Sequence, residues 1–115
     1  MDTKKKGKQG EELAAKLLEH NGYEILCMNY RKRSGEIDIV AKDGEYLCFV
    51  EVKYRKTVGS GYPEEAVGPA KMRKIRHTAL FYMFENKIPD THPVRFDVCL
   101  ILGGQYRIIK NAFDA

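Results

Sequence analysis

The stretch Gly35-Glu36-Ile37-Asp38-Ile39-Val40, the turn signal Asp43-Gly44, and then Phe49-Val50-Glu51-Val52-Lys53 read together as a β-hairpin, and that hairpin decides the fold. Its strands are built from strand-forming apolar residues, yet they carry three carboxylates and a lysine, which strands rarely do without a reason. Residues two apart on a strand share a face, so Glu36 goes with Asp38 and Glu51 with Lys53. A two-residue turn at Asp43-Gly44 sets Asp38 opposite Phe49 and diagonal to Glu51; a different loop pairs Asp38 directly with Glu51. Both registers keep the parity. Glu36, Asp38, Glu51 and Lys53 are therefore expected on one face of the hairpin, with Ile37, Ile39, Val50 and Val52 on the other.

Three like charges this close repel one another and are costly to desolvate unless something positive lies between them. A hard divalent cation with oxygen ligands answers both costs, and Mg²⁺ is the natural candidate. A lysine just beyond Glu51 on the same face is then placed to orient an attacking water or to stabilise a negative transition state, as phosphoryl chemistry requires. A solvated hairpin face with cross-strand Glu–Lys pairs fits the same spacing.

With 115 residues there is room for one domain, and a 43% hydrophobic share supplies one core. No apolar run is long enough to cross a bilayer, and no apolar segment follows Met1-Asp2-Thr3-Lys4-Lys5-Lys6 to make a signal peptide, so a cytoplasmic protein with no membrane partner is expected. Cys27, Cys48 and Cys99 are widely spaced among apolar neighbours, which reads as reduced core thiols. The formal charge of +4 is modest, but the cations cluster. Lys4, Lys5, Lys6 and Lys8 open the chain, Arg31, Lys32 and Arg33 precede the acidic strand, Arg55 and Lys56 follow Glu51-Val52-Lys53, and Lys71, Arg73, Lys74 and Arg76 crowd a later segment. Acidic residues at the centre with basic clusters around them suit a site that grips phosphates, with Arg31, Arg33, Arg55 and Lys71 as candidate contacts. A solubilising surface is the simpler account of the N-terminal lysines, and residues 1–8 are expected as a flexible basic extension.

A first helix is predicted from Gly10 to about Asn21, with Leu13, Ala14, Leu17 and Leu18 as its apolar stripe and Asn21-Gly22 as its stop. Glu11 borders the inward face, three, four and seven residues before Ala14, Ala15 and Leu18, which makes it a candidate site residue; on helical geometry alone a favourable contact with the helix dipole is the simpler explanation. A strand from Tyr23 to about Tyr30 carries Tyr23, Ile25 and Cys27 on one side. The hairpin comes next, then a Gly-rich loop over residues 55–68 that contains Tyr62 and Pro63. A second helix from about Pro69 to Asn86 has Met72, Ile75, Ala79, Leu80 and Met83 as its buried stripe. Two strands, 93–102 and 105–110, close the chain, the first apolar enough to be interior. The order is α-β-β-β-α-β-β in a single mixed α/β domain.

With these segments in view, Gly7-Lys8-Gln9-Gly10-Glu11, Gly35-Glu36-Ile37-Asp38, Phe49-Val50-Glu51-Val52-Lys53-Tyr54-Arg55 and Arg95-Phe96-Asp97-Val98 resemble the YraN family of bacterial proteins. That family is similar to archaeal Holliday-junction resolvases and sits with the PD-(D/E)xK nucleases. The resemblance covers nearly the whole chain. It implies a restriction-endonuclease-like core, a mixed central sheet flanked by helices. It further implies that Asp38 and Glu51 are metal ligands, that the Val52 carbonyl supplies another, that Glu11 completes the site, and that Lys53 lies beside the nucleophilic water. Glu36 fits the YraN pattern but matches no resolvase ligand. Asp97, after Arg95 in an apolar strand, reads as a structural ion-pair partner.

What the resemblance implies in function is Mg²⁺- or Mn²⁺-dependent phosphodiester hydrolysis, with DNA as partner, branched or junction DNA as a substrate preference resting on the resolvases alone, and a possible homodimer. The alternatives are an accessory protein that keeps the fold and binds nucleic acid without cutting it, and a module whose acidic hairpin binds a basic partner.

Overall fold

The apolar runs pair into one five-stranded sheet, and the computed structural model describes residues 3–56 and 67–114 of it and its helices, with side chains from Lys8 onward. The elements are α1 (Thr3–His20), β1 (Glu24–Lys32), β2 (Gly35–Asp43), β3 (Tyr46–Arg55), α2 (Pro69–Glu85), β4 (Val94–Leu102) and β5 (Gln105–Phe113), the succession expected from the sequence. The sheet order is β1-β2-β3-β4-β5, antiparallel throughout except for β3 and β4. A parallel pair cannot be joined by a tight turn, and α2 is the element inside its crossover. The loop expected over residues 55–68 falls, for residues 57–66 with Tyr62 and Pro63, outside the described residues.

Each helix covers one face. Ala14, Ala15 and Leu18 of α1 pack with Ile39, Ala41, Cys48, Val50, Cys99 and Ile101, whereas Ile75, Ala79, Tyr82 and Met83 of α2 pack with Ile37, Val40, Leu47, Phe49, Phe96, Val98 and Leu100. β4 alternates between the two clusters and is buried from Phe96 to Leu102, as an interior strand covered on both faces must be. Cys48 and Cys99 are buried free thiols and Cys27 is a half-buried one.

Several boundaries and faces differ from the sequence expectation. α1 begins at Thr3, so residues 3–8, expected as an extension ahead of the helix, belong to it. Leu13 is exposed, and Ala15 takes the inward place beside Ala14 and Leu18. On α2 the buried stripe is Ile75, Thr78, Ala79, Tyr82 and Met83, while Leu80 faces out at 57% exposure. Tyr23, Ile25 and Cys27 do not share a side: the β1–β2 register slips between Ile25 and Cys27, and this bulge turns Cys27 to the α2 face.

A buried ionic network ties β2, β4 and β5 together. Arg95 grips Asp97 with two donors, Nε to Oδ1 at 2.9 Å and Nη2 to Oδ2 at 2.8 Å, and reaches Asp43 Oδ2 at 2.7 Å. The Tyr23 hydroxyl and the Asn111 main-chain N–H also donate to the Asp97 carboxylate, at 2.7 and 2.9 Å. Asp97 is wholly buried, so these donors are what make its charge tolerable. Asp97 is thus the ion-pair partner expected for Arg95. Arg95→Ala strands that carboxylate and should cost about 3–5 kcal/mol of folding stability in chemical denaturation; a loss under about 1 kcal/mol would show that the network does not hold the sheet.

Candidate metal centre

The β2–β3 ladder ends at Ile39↔Val50, although β3 runs on beside β4 to Arg55 and β2 starts four residues earlier, beside β1. Asp43 pairs with Tyr46, so the turn is Gly44-Glu45 and Asp38 stands level with Glu51. Where the ladder stops, the Val52 N–H donates to Asp38 Oδ2 at 2.8 Å, so a side chain takes the place of a main-chain acceptor. The parity expected for β2 breaks at this point. Ile37 packs against α2, while Ile39, Val50 and Val52 pack against α1, so the four do not share one face. Asn29, opposite Asp38 on β1, has φ +56°, a left-handed conformation that asparagine tolerates better than most residues.

Glu11 arrives from α1. Gly10 lets it: a Cβ there would lie 2.9 Å from the Tyr54 Cβ, so only glycine allows the helix this close to β3. Because α1 starts at Thr3, Glu11 lies more than two turns inside the helix, out of reach of the N-terminal dipole that was its other explanation. Its carboxyl instead hydrogen-bonds with Asp38 and with the Asn29 side chain. Glu36 joins from the start of β2: ligand oxygens of Glu11, Glu36 and Asp38 lie within 4.8 Å of one another. Gly35, at φ +151°, sets the approach of Glu36, and a Cβ there would press on Lys74 and Thr78 of α2. The sequence pattern left the role of Glu36 open; its two-residue spacing from Asp38 was the available signal.

Glu51 hydrogen-bonds with Asp38 and is 6% exposed. Its cationic partner is Lys71, from the first turn of α2. Glu11, Asp38, Glu51, Val52, Tyr54, Lys56 and Lys71 line a cleft of about 410 Å³. Lys53, two residues beyond Glu51 and half-buried, is not among the lining residues described. Arg31 is exposed and pairs with Glu36, Nε to Oε1 at 3.3 Å. Arg33 and Arg55 are exposed and, among the described residues, line no part of the cleft.

So much negative charge cannot all be ionised in a half-buried place. Burial, then the hydrogen bond and charge of Glu51, push the Asp38 carboxyl up to about 9. Burial also raises Glu11, against the hydrogen bonds from Asp38 and Asn29. For Lys71, burial works against the charged form, but the Glu51 carboxylate outweighs it and the ammonium is held above its usual range. Asp38 is thus the carboxyl of this group that holds its proton most readily, able to donate it to one neighbouring carboxylate. This has a sign. A carboxyl raised in the folded state above its unfolded value of 3.8 costs nothing at low pH and destabilises increasingly as pH climbs towards 9. Asp38→Asn removes that penalty. In metal-free buffer the variant's thermal midpoint should gain on the parent as pH rises from about 5 to 8, by on the order of 5 °C; a gap independent of pH would refute the shared proton.

The family model described as "Uncharacterised protein family UPF0102" matches residues 10–101. A UPF0102 protein of Lachnoclostridium phytofermentans is 51% identical over 115 residues, covering 100% of this chain and 98% of that protein. One from Persephonella marina is 46% identical over 109 residues, 95% and 93% of the two chains, and one from Acetivibrio thermocellus is 50% identical over 117 aligned positions, 93% and 89%. The match spans both the glutamate of α1 and the acidic hairpin, and the chain belongs to the UPF0102 family, the YraN family that its motifs resemble.

Proposed function

We propose that this chain is a metal-dependent nuclease that hydrolyses phosphodiester bonds, with DNA as its substrate and branched or junction DNA as the preference taken from the resolvase resemblance. One observation carries the reading. Glu11 on α1 joins Glu36 and Asp38 on β2 in a cluster whose ligand oxygens lie within 4.8 Å of one another, and Glu51 on β3 lines the same cleft as Glu11 and Asp38, paired with Lys71.

The donor set fits a hard divalent cation, because it is all oxygen, crowded and short of positive charge. Asp38, Glu51 and Glu11 would hold it, with the Val52 carbonyl and Glu36 as further donors. When bound, Mg²⁺ or Mn²⁺ supplies the charge that acidifies a water and neutralises the phosphodiester. The protein's own part is positioning. The Val52 N–H fixes one oxygen of Asp38, Gly10 holds Glu11 against β3, and the partner strand β4 braces Glu51 opposite Val98. Lys53 is the residue we assign to the attacking water, on its two-residue spacing from Glu51. Lys71 and Arg31 are assigned to backbone phosphates, with Arg33 and Arg55 as outlying cations. The membrane is not part of this reading: among the described residues no helix is long and apolar enough to cross one.

One feature favours a second reading, a nucleic-acid-binding accessory protein that does not cut. Lys71 of α2 pairs with Glu51, which gives that carboxylate a cationic partner from the protein itself. Cleavage of labelled four-way junction, flap, duplex and single-stranded substrates with Mg²⁺ or Mn²⁺ separates the two. Metal-dependent cutting that is lost in Asp38→Asn and in Lys53→Ala is the expected result; binding without cutting under every metal condition would support the accessory role. Metal binding has its own signature. Because Asp38 holds a proton at neutral pH, Mn²⁺ titrated calorimetrically in two buffers should release about one proton per ion, and its affinity should rise up to tenfold per pH unit below about 9. Binding with no proton release would mean that Asp38 is not a ligand.

A further inference from the structure

We propose that the outer face of α2 is the contact surface between two copies of this chain, packed antiparallel about a two-fold axis. Leu80, Phe81 and Phe84 are 57%, 44% and 83% exposed, on the side of α2 opposite its buried stripe. Three large apolar side chains adjoining on one helix face are more than the scattered exposure of a monomer's surface. With His77, which stacks on the Phe81 ring, and with Met83, Ile88 and Asp90, they line a groove of about 610 Å³. A smaller depression on the other side of Leu80 shares Met83 and Asp90 with it.

The occupant follows from symmetry and charge. His77, Leu80, Phe81 and Phe84 fall on one stripe of α2 at helical spacing, and the stripe is symmetric about the point between Leu80 and Phe81. A second α2 crossing there antiparallel sets Leu80 against the partner's Phe81 and His77 against the partner's Phe84. That is the self-complementarity a two-fold contact needs. The charges are arranged in the same sense. The first half of α2 carries Lys71, Arg73, Lys74 and Arg76 with no carboxylate, whereas the carboxylates Glu85 and Asp90 lie at and beyond its end. Antiparallel packing runs the basic first half of each α2 towards the acidic end of its partner and opposes the two helix dipoles. An anionic lipid surface is a poorer fit, because Asp90 borders both depressions.

The patch occupies the second half of α2 and Lys71 its first turn, so both clefts stay open, roughly 30 Å apart along the paired helices at 1.5 Å per residue. Only that spacing bears on the nuclease reading; the contact itself does not rest on it.

Analytical ultracentrifugation of the full chain at tens to hundreds of micromolar is the test. The parent should sediment as a dimer, and Phe84→Glu, at an exposed position where folding is spared, should raise the dissociation constant at least ~30-fold. Arg73→Glu should weaken the dimer and Arg73→Glu with Asp90→Arg restore it. Phe81→Cys, beside the axis, should form an oxidised dimer that Leu26→Cys, exposed on β1, does not. A monomeric parent throughout this range would overturn the proposal, as would a dimer unmoved by Phe84→Glu and by the charge exchange.

Discussion

The hydrogen bond from the Val52 N–H to the Asp38 carboxylate is the constraint around which the rest is arranged. Two antiparallel strands that stayed paired would satisfy Val52 with a main-chain carbonyl, and Asp38 would be one more side chain on a face. Because the ladder stops at Ile39↔Val50, β2 carries Gly35 and Glu36 along β1 and α2, while β3 continues along β4. The opening between them is the floor of the cleft. An unpaired buried donor there would be costly, and Asp38 removes the cost by standing in for the missing acceptor.

Everything converging on that opening is held from a different direction. Gly10 lets α1 touch β3 and deliver Glu11; Gly35 and the Ser34–Thr78 hydroxyl contact, 2.8 Å, seat the start of β2 on α2; Lys71 comes from the first turn of the same helix. The Arg95–Asp97–Asp43 network anchors the other end of β2, next to the Gly44-Glu45 turn, with donors enough to keep a buried charge. One end of the hairpin is thus electrostatically closed, and the other is left with more carboxylates than cations. That crowding, rather than any single residue, is what makes the cluster a candidate metal centre, and with burial it holds the Asp38 carboxyl well above its usual range.

Much of this was legible in the residues. Alternating apolar positions marked the hairpin, Asp43-Gly44 came within one residue of the turn, and the inward spacing of Glu11 against Ala14, Ala15 and Leu18 was borne out because helical periodicity is local. The misreadings share a cause. Leu13 and Leu80 were placed inside on hydrophobicity, but a helix face is chosen by what packs against it, and on α2 the sheet selected Thr78 and Tyr82. Cys27 and Ile37 were placed by strict parity, which a bulge in β1 and the left-handed Asn29 interrupt. Strand parity is a property of an unbroken ladder, and the chain does not announce where the ladder breaks.

The sequence by itself determined the element order, the mixed sheet and the family, since these follow from periodicity, turn residues and short motifs that act over a few neighbours. It also singled out Glu11, Asp38 and Glu51 as the carboxylates to watch. Only the tertiary structure decided that Glu36 joins Glu11 and Asp38, and that a lysine of α2, Lys71, pairs with Glu51. It likewise decided that three large apolar side chains of α2 face outward. Those outcomes depend on distances between elements far apart in the chain, set by how closely glycines let them approach and by where paired strands separate, and neither quantity is written in local pattern.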